Sequence, residues 1–319
     1  MNESNQKTFS GVVSVVIPVY NEETVLPVMI ERLEALREKC RSFKLEFLFI
    51  DDGSVDKTRE ILERAYYEKG FYLISFSRNF GHQAAVSAGL RHAKGDFIAI
   101  IDGDLQDPPE AIPEMVNLLM KTGADVAYGV RRRRKESAFK RFSYYLFYRL
   151  LRRLTPISIP LDSGDFSVIS RRVASVINEM PEKHRFVRGL RSYAGFEQVP
   201  FYYSRDSRAA GEPKYTFSKL IALAADGIFT FSEIPLKFST FLGLTISISS
   251  FLFGFLLILW RLSSGAVLPG FATLSVGLFF LGGVQLLCLG ILGEYIGRIH
   301  SEVKKRPSFV IDKFLGPSD

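Results

Sequence analysis

The sequence predicts an α/β fold, a mostly parallel sheet covered by helices on both faces, followed by two membrane-spanning helices. Three observations carry this. Near-continuous apolar, β-branched runs recur at 12–19, 45–50, 71–76, 97–101 and 126–130. Helix-like stretches separate them at 23–40, 56–68, 83–93 and 110–121. Strands without a polar face that alternate with helices belong in parallel sheets buried on both sides. Finally, the runs 238–260 and 266–293 hold no charged residue, and each is long enough to cross a bilayer as a helix.

The short link of Arg261, Ser263, Ser264 and Gly265 between these runs forces an antiparallel hairpin. Lys237 precedes it, and Arg298, Lys304, Lys305 and Arg306 follow it. The positive-inside bias then puts both ends in the cytoplasm. Residues 1–11 are polar and lack an apolar signal core, so the first two hundred residues are expected to stay there too. Segment 215–238 mixes apolar residues with Lys219, Asp226, Glu233 and Lys237. It reads as a helix lying in the membrane interface, or as a domain helix packed on the core. The expected division is 1–212 for a cytoplasmic catalytic domain, 213–236 for the juxtamembrane region and 237–293 for the hairpin. Its spans are expected at about 238–260 and 267–292, with 294–319 as a cytoplasmic tail.

The net charge of +7 is concentrated. Between Arg131 and Arg153 stand ten Lys or Arg against the single Glu136, a local +9 that leaves −2 for the rest of the chain. Such a patch suits phosphate-bearing partners. It carries no nucleic-acid reading motif, so no nucleic acid is expected as partner. Cys40 and Cys288 are the only cysteines, which excludes a disulfide framework or cysteine metal site.

In doubly wound sheets ligands bind beyond the carboxyl ends of the strands. The first strand ends in Pro18-Val19-Tyr20-Asn21-Glu22, the second in Asp51-Asp52-Gly53-Ser54, and the fourth in Asp102-Gly103-Asp104-Leu105-Gln106-Asp107. No G-x-G-x-x-G follows the first strand and no P-loop occurs, which disfavours dinucleotide oxidoreductases and P-loop ATPases. As alternate residues, Asp102 and Asp104 share one face of a strict strand, and Gly103 lets backbone and ligand approach. With Gln106 they offer hard oxygen ligands to Mg2+ or Mn2+, an ion that completes its shell with water and diphosphate oxygens. Asp51 reads equally as a cap of the turn at Gly53, and His82 as a satisfied turn histidine.

Those three strand ends, with Arg78-Asn79-Phe80-Gly81-His82-Gln83 and Gly211-Glu212-Pro213-Lys214-Tyr215, appear in the order of a known family. The chain resembles glycosyltransferase family 2, and within it the dolichol-phosphate-mannose-synthase-like polyprenyl phosphate glycosyltransferases, bacterial bactoprenol glucosyltransferase branch. The resemblance implies a GT-A type nucleotide-sugar-binding domain. It implies inverting transfer of a hexose from a nucleotide diphosphate sugar, with UDP-glucose favoured over GDP-mannose or UDP-aminoarabinose, to polyprenyl (undecaprenyl) phosphate. It places the donor on Pro18, Tyr20, Glu22, Ile50, Asp52, Asp102, Gly103 and Arg131, and the metal on Asp102, Asp104 and Gln106. Phosphate contacts fall to Arg208 and Lys214, and catalytic roles to Asp104 and Asp165. Proline at 213 replaces the commoner serine or threonine. Because a phosphate monoester is largely ionised at neutral pH, Asp165 is expected to orient the acceptor more than to remove a proton. A processive synthase is disfavoured: its Gln-x-x-Arg-Trp motif is missing, and the sole tryptophan, Trp260, lies in a span. The implied location is the bacterial plasma membrane, and the hairpin offers surface for self-association.

Overall fold

A computed structural model of the chain describes residues 9–131, 163–183, 185–203, 233–264 and 270–316. The chain divides into two compact units. One holds the whole sheet, including the residues from Arg306 onward, and the other holds two long helices.

The first unit begins with alternating β1 (Val12–Val19), α1 (Leu26–Lys39), β2 (Lys44–Asp51), α2 (Thr58–Lys69), β3 (Tyr72–Phe76), α3 (His82–His92) and β4 (Phe97–Ile100). There follow α4 (Ile112–Thr122), β5 (Val126–Arg131), β6 (Ser163–Ser170), α5 (Arg171–Glu179), α6 (Val187–Tyr193), β7 (Gln198–Tyr203) and, after the long helices, β8 (Ile311–Leu315). The eight strands lie in the order β7-β5-β6-β4-β1-β2-β3-β8. β4, β1, β2 and β3 run parallel, β6 runs antiparallel between β4 and β5, and β7 lies parallel to β5.

The five expected strands are present, each within a residue of its expected ends. β6 and β7 were not foreseen because their polarity hides them. β6 reads Ser-Gly-Asp-Phe-Ser-Val-Ile-Ser, a run in which polar residues interrupt the apolar ones. β7 carries Pro200, which an edge strand tolerates.

Alternation along the central strands feeds two apolar layers. Val15, Ile17, Phe47 and Phe49 pack with Leu26, Met29 and Leu33 of α1, Leu62 of α2 and Met115 of α4. Val16, Leu48 and Ile50 pack on the other face with Ala85 and Val86 of α3, Ile177 of α5 and Leu190 of α6. At about 25 cal/mol per Å2 of apolar surface, these double layers hold the strand ends as a rigid rim for the loops beyond them.

The second unit consists of α7 (Ile234–Ser264) and α8 (Phe271–Val303). Ile234–Leu257 and Val276–Val303, with mean hydropathies of 1.9 and 2.1, are long and apolar enough to cross a membrane. Phe251, Leu262 and Phe279 are 77–82% exposed, an outward apolar surface that water disfavours. The segment expected as a tail, 294–319, carries regular structure. α8 continues to Val303, and Ile311–Leu315 returns as β8 to pair antiparallel with β3. Ser77 N–H donates to Val310 O at 3.0 Å, and the Phe309 ring stacks on Phe76 at 5.1 Å. Arg59 reaches Asp312 at 2.6 Å, and Lys313 reaches Glu63 at 2.8 Å.

Candidate active site

Loops at the carboxyl ends of the parallel strands build the site. Asn21, at φ +53, donates its backbone N–H to Ser54 Oγ (3.0 Å) and accepts from Val55 N–H through Oδ1 (2.9 Å). Glu22 N–H donates to Thr58 Oγ1 at 2.9 Å, and the Glu23 carboxylate accepts from Lys57 N–H at 3.0 Å. These bonds join the loops after β1 and β2 into one ledge on which Tyr20 stands 40% exposed. Pro18 lies within β1 opposite Ile50. The Ile50 side chain is fully buried in the core layer, so what it can offer a ligand is backbone.

The two aspartates ending β2 diverge. Asp51 Oδ1 accepts from Ser54 N–H at 2.9 Å, the turn-capping bond. Asp52 gathers the next loop: it accepts from Phe80 N–H (2.7 Å), Gly81 N–H (2.9 Å) and Asn79 Nδ2 (3.0 Å). Burial raises the Asp52 pKa above its ordinary value, although the Phe80 and Gly81 N–H groups pull the other way. Gly53, at φ +69, makes this contact feasible, since a Cβ there would lie 2.3 Å from the carbonyl carbon of Arg78.

β4 ends at Ile100, so Asp102 and Asp104 lie on the turn beyond it and the strand alternation rule no longer relates them. Leu105 is held at φ +58 within that turn, a conformation that bulky residues adopt only where surroundings enforce it. The expected ligand approach at Gly103 has a different cause. A Cβ there would meet Val19 Cγ1 at 2.6 Å and Pro18 O at 3.0 Å, so the glycine admits β1. Asp104 Oδ1 accepts from Gln106 N–H at 3.1 Å, and Asp107 is anchored by Tyr203 Oη, which donates at 2.5 Å.

His82, the first residue of α3, stands between two carboxylates. Its Nε2 is 3.7 Å from Asp102 Oδ1 and 3.4 Å from Asp165 Oδ2. Gln83 donates from Nε2 to Asp165 Oδ2 (3.5 Å) and accepts Val187 N–H through Oε1 (2.8 Å). On the other side, Arg188 donates to Asp165 Oδ1 at 3.1 and 3.4 Å. Strand β6, helix α3 and helix α6 therefore converge on the Asp165 carboxylate.

The electrostatics are polarised. Burial, joined by the negative charges of Asp165, Asp107 and Asp104, raises the Asp102 carboxyl to about 6 against the opposing pull of His82. Burial also pushes Asp165 up, but Arg188 and His82 outweigh it and hold that carboxyl well below the usual range. Burial lowers the His82 pKa, yet Asp165 and Asp102 carry it above its ordinary 6.5.

Asp102 Oδ1 is buried without a hydrogen-bond partner, and crowded negative charge beside an orphaned oxygen fits a divalent cation. Among the described residues no three His, Cys, Asp or Glu side chains converge as a ready-made cage. A hard ion that borrows water and phosphate oxygens suits such an open donor set.

Among the residues expected in the site, Asp102 and Asp165 are brought together across His82, with Asp104 and Gln106 on the adjoining turn. Pro18, Tyr20, Glu22 and Asp52 line the neighbouring strand ends. Arg131 closes β5, while Arg208, Lys214 and the basic stretch 132–153 lie outside the described residues. The sequence alone reads His82 as a turn histidine and gives Gln83 and Arg188 no role in the site. The first two stand in a motif already recognised, but no local pattern points to Arg188.

The chain matches the Glycosyl transferase family 2 profile over residues 14–177. It is 44% identical over 305 residues to the uncharacterized glycosyltransferase YkcC of Bacillus subtilis, covering 95% of this chain and 94% of the relative. The SfII prophage-derived bactoprenol glucosyl transferase of Shigella flexneri is 39% identical over 303 residues, 94% of this chain and 97% of its own. Among solved structures, the mannosyltransferase PcManGT from Pyrobaculum calidifontis, in complex with GDP-Man and Mn2+, shares 16% identity. That alignment covers 91% of this chain and 88% of the other at a TM-score of 0.46. A profile spanning half the chain, and relatives alike along nearly all of it, lead to one assignment: the chain belongs to glycosyltransferase family 2 and is a glycosyltransferase.

Proposed function

We propose that this enzyme transfers a hexose, with inversion at the anomeric carbon, from UDP-glucose to undecaprenyl phosphate in the bacterial plasma membrane. The observation that carries the reading is the meeting of Asp102 and Asp165 across His82 at the carboxyl rim of the sheet. This meeting supports a donor-side role for Asp102 and an acceptor-side role for Asp165 around one reacting centre. The name of the Shigella relative, bactoprenol glucosyl transferase, supports both the sugar and the lipid. GDP-mannose or UDP-aminoarabinose with the same acceptor is the alternative.

The apolar helices supply the contact with the lipid. β6, β7 and β8 belong to one sheet although α7 and α8 intervene between β7 and β8, which supports an even number of crossings. Two crossings satisfy that condition. Lys237, Lys304, Lys305 and Arg306 flank the spans and favour the cytoplasm for this side.

Asp102, Asp104 and Gln106 would hold Mg2+ or Mn2+. Such an ion, when bound, stabilises the negative charge that grows on the departing nucleoside diphosphate. Tyr20 offers a ring on which the base stacks, and Asp52 fixes the loop at 79–81 beside it. Asp165 has both oxygens engaged, Oδ1 by Arg188 and Oδ2 by Gln83 and His82, so it holds and orients and does not take up a proton. The chemistry allows this, because a phosphate monoester with a second pKa near 6 is already a nucleophile at neutral pH.

The test uses the full-length enzyme in nanodiscs containing undecaprenyl phosphate, with radiolabelled UDP-glucose, GDP-mannose and UDP-aminoarabinose. Label from UDP-glucose is expected in the lipid fraction with Mg2+ or Mn2+, and not with EDTA. Lipid label from another donor would replace UDP-glucose, and no lipid label from any donor would sink the acceptor assignment.

A further inference from the structure

α6 carries a second cation one turn beyond Arg188. Arg191 is 2% exposed, and its Nε and Nη2 are buried without a hydrogen-bond partner. Its guanidinium carbon lies 5.8 Å from the centroid of the Tyr128 ring. Tyr128 pairs with Ser167 across β5 and β6. Ser167 and Asp165 are alternate residues of β6 and share its face. Arg191 thus lies over the strand surface that presents Asp165, and its three-residue spacing puts it on the helix face of Arg188.

The charge pattern around this face is uneven. Arg188 already neutralises Asp165, which leaves Arg191 in surplus. A guanidinium taken out of water needs an anion or a full set of acceptors, and the Tyr128 ring is a partial substitute. Burial, and then the like charge of Arg188, lower the Arg191 pKa to about 10, so the side chain stays charged at neutral pH.

We propose that Arg191, with Arg188, receives a phosphate group of a substrate beside Asp165. The planar fork of a guanidinium matches phosphate oxygens, and two adjacent forks divide its charge. The site would take the acceptor's phosphate or the donor's diphosphate. Its attribution to a substrate rests on the reading of this rim as the transfer site. Nε and Nη2 of Arg191, which have no hydrogen-bond partner among the described residues, would donate to the phosphate oxygens.

A purely structural cation and a ligand-receiving one predict opposite stabilities. Replacing an unpaired buried charge by an apolar side chain is neutral or stabilising. The experiment compares full-length R191M, R191Q and R191K with wild type in nanodiscs. It records unfolding temperature with and without inorganic phosphate, and KM for undecaprenyl phosphate and for UDP-glucose. R191M is expected to unfold at or above the wild-type temperature and to lose the stabilisation by phosphate. One KM should rise about tenfold or more, the scale of a lost charge-assisted contact. A rise for the lipid assigns the site to the acceptor, and a rise for UDP-glucose assigns it to the diphosphate.

Two results overturn the proposal. One is an unchanged KM for both substrates. The other is a loss of stability in R191M and R191Q alike that R191K restores, which would make the cation structural. If the wild-type enzyme transfers no sugar to the lipid, the acceptor reading fails on its own. The phosphate-dependent unfolding shift then decides the anion site: its loss in R191M keeps the proposal, and its retention ends it.

Discussion

Asp165 and Arg188 meet at 3.1 Å, carboxylate Oδ1 to guanidinium Nη2, with side chains 18% and 21% exposed. This pair ties strand β6 to helix α6, and Arg188 helps to hold the Asp165 carboxyl in its charged form. Arg188→Met is expected to destabilise the fold toward the lower end of the roughly 3–5 kcal/mol seen when a buried pair loses one partner. Asp165→Asn in the same chain should restore much of the loss. Unfolding midpoints of the two single variants and the double variant measure the coupling, and additive losses would refute it.

At the donor side, Asp104→Asn is expected to abolish transfer while leaving unfolding temperature and membrane insertion intact. Asp102→Asn should also abolish transfer but raise the unfolding temperature of the metal-free protein. The substitution removes the buried charge that Asp165, Asp107 and Asp104 crowd. Near-normal transfer by Asp104→Asn would overturn the donor-side assignment.

His82 links the two carboxylates, and His82→Ala is expected to lower kcat by about 10- to 100-fold, the scale of one lost charge-assisted hydrogen bond. Fold and metal affinity should change little. A variant with wild-type kcat would show that the ring merely fills the space between Asp102 and Asp165.

Gly53→Ala tests the loop junction. Its φ of +69 and the 2.3 Å approach to Arg78 leave no room for a methyl group. The expected result is a raised KM for the nucleotide sugar, because the segment that Asp52 holds is pushed away. A destabilisation of about 1–3 kcal/mol, usual for overpacking, should accompany it. An unchanged donor KM in a folded variant would separate this loop from nucleotide binding.

The parallel half of the sheet was legible because strands such as Phe47–Leu48–Phe49–Ile50 are apolar on both faces, a pattern few other structures share. Asp102 and Asp104 were legible because their motif is local. Arg188 was not, since its meaning arises only when α6 folds over β6 and sets it against Asp165. β6 was obscured by Ser163, Asp165 and Ser167, whose polarity breaks the apolar run in the sequence. β8 reads Ile-Asp-Lys-Phe-Leu, which lacks polar–apolar alternation, and shows itself as a strand only when β3 is available to pair with it.

β8 also gives an acid-dependent expectation. The Lys313 hydrogen bond, more than burial opposes it, holds the Glu63 carboxyl below its ordinary 4.5, with Arg59 assisting. A carboxyl depressed in the folded state contributes stability above its unfolded pKa and loses it as pH falls through the folded value. Hydrogen exchange should show β8 amides protected at neutral pH and opening first below about pH 4, by no more than ~1 kcal/mol for a partly exposed pair. Lys313→Met should remove most of that acid sensitivity, and identical acid profiles for both proteins would refute the link.

The returning strand also imposes an order on biosynthesis. Arg59 and Asp312, bridged in the finished sheet, stand 253 residues apart, and both long apolar helices are translated between them. Until the ribosome has passed the second of these, β3 keeps an open row of backbone donors and acceptors, the kind of edge that recruits foreign strands. A product truncated before β8 would keep that edge for good. Closing the sheet thus acts as a completion mark that the chain receives only after its two long apolar helices have been made.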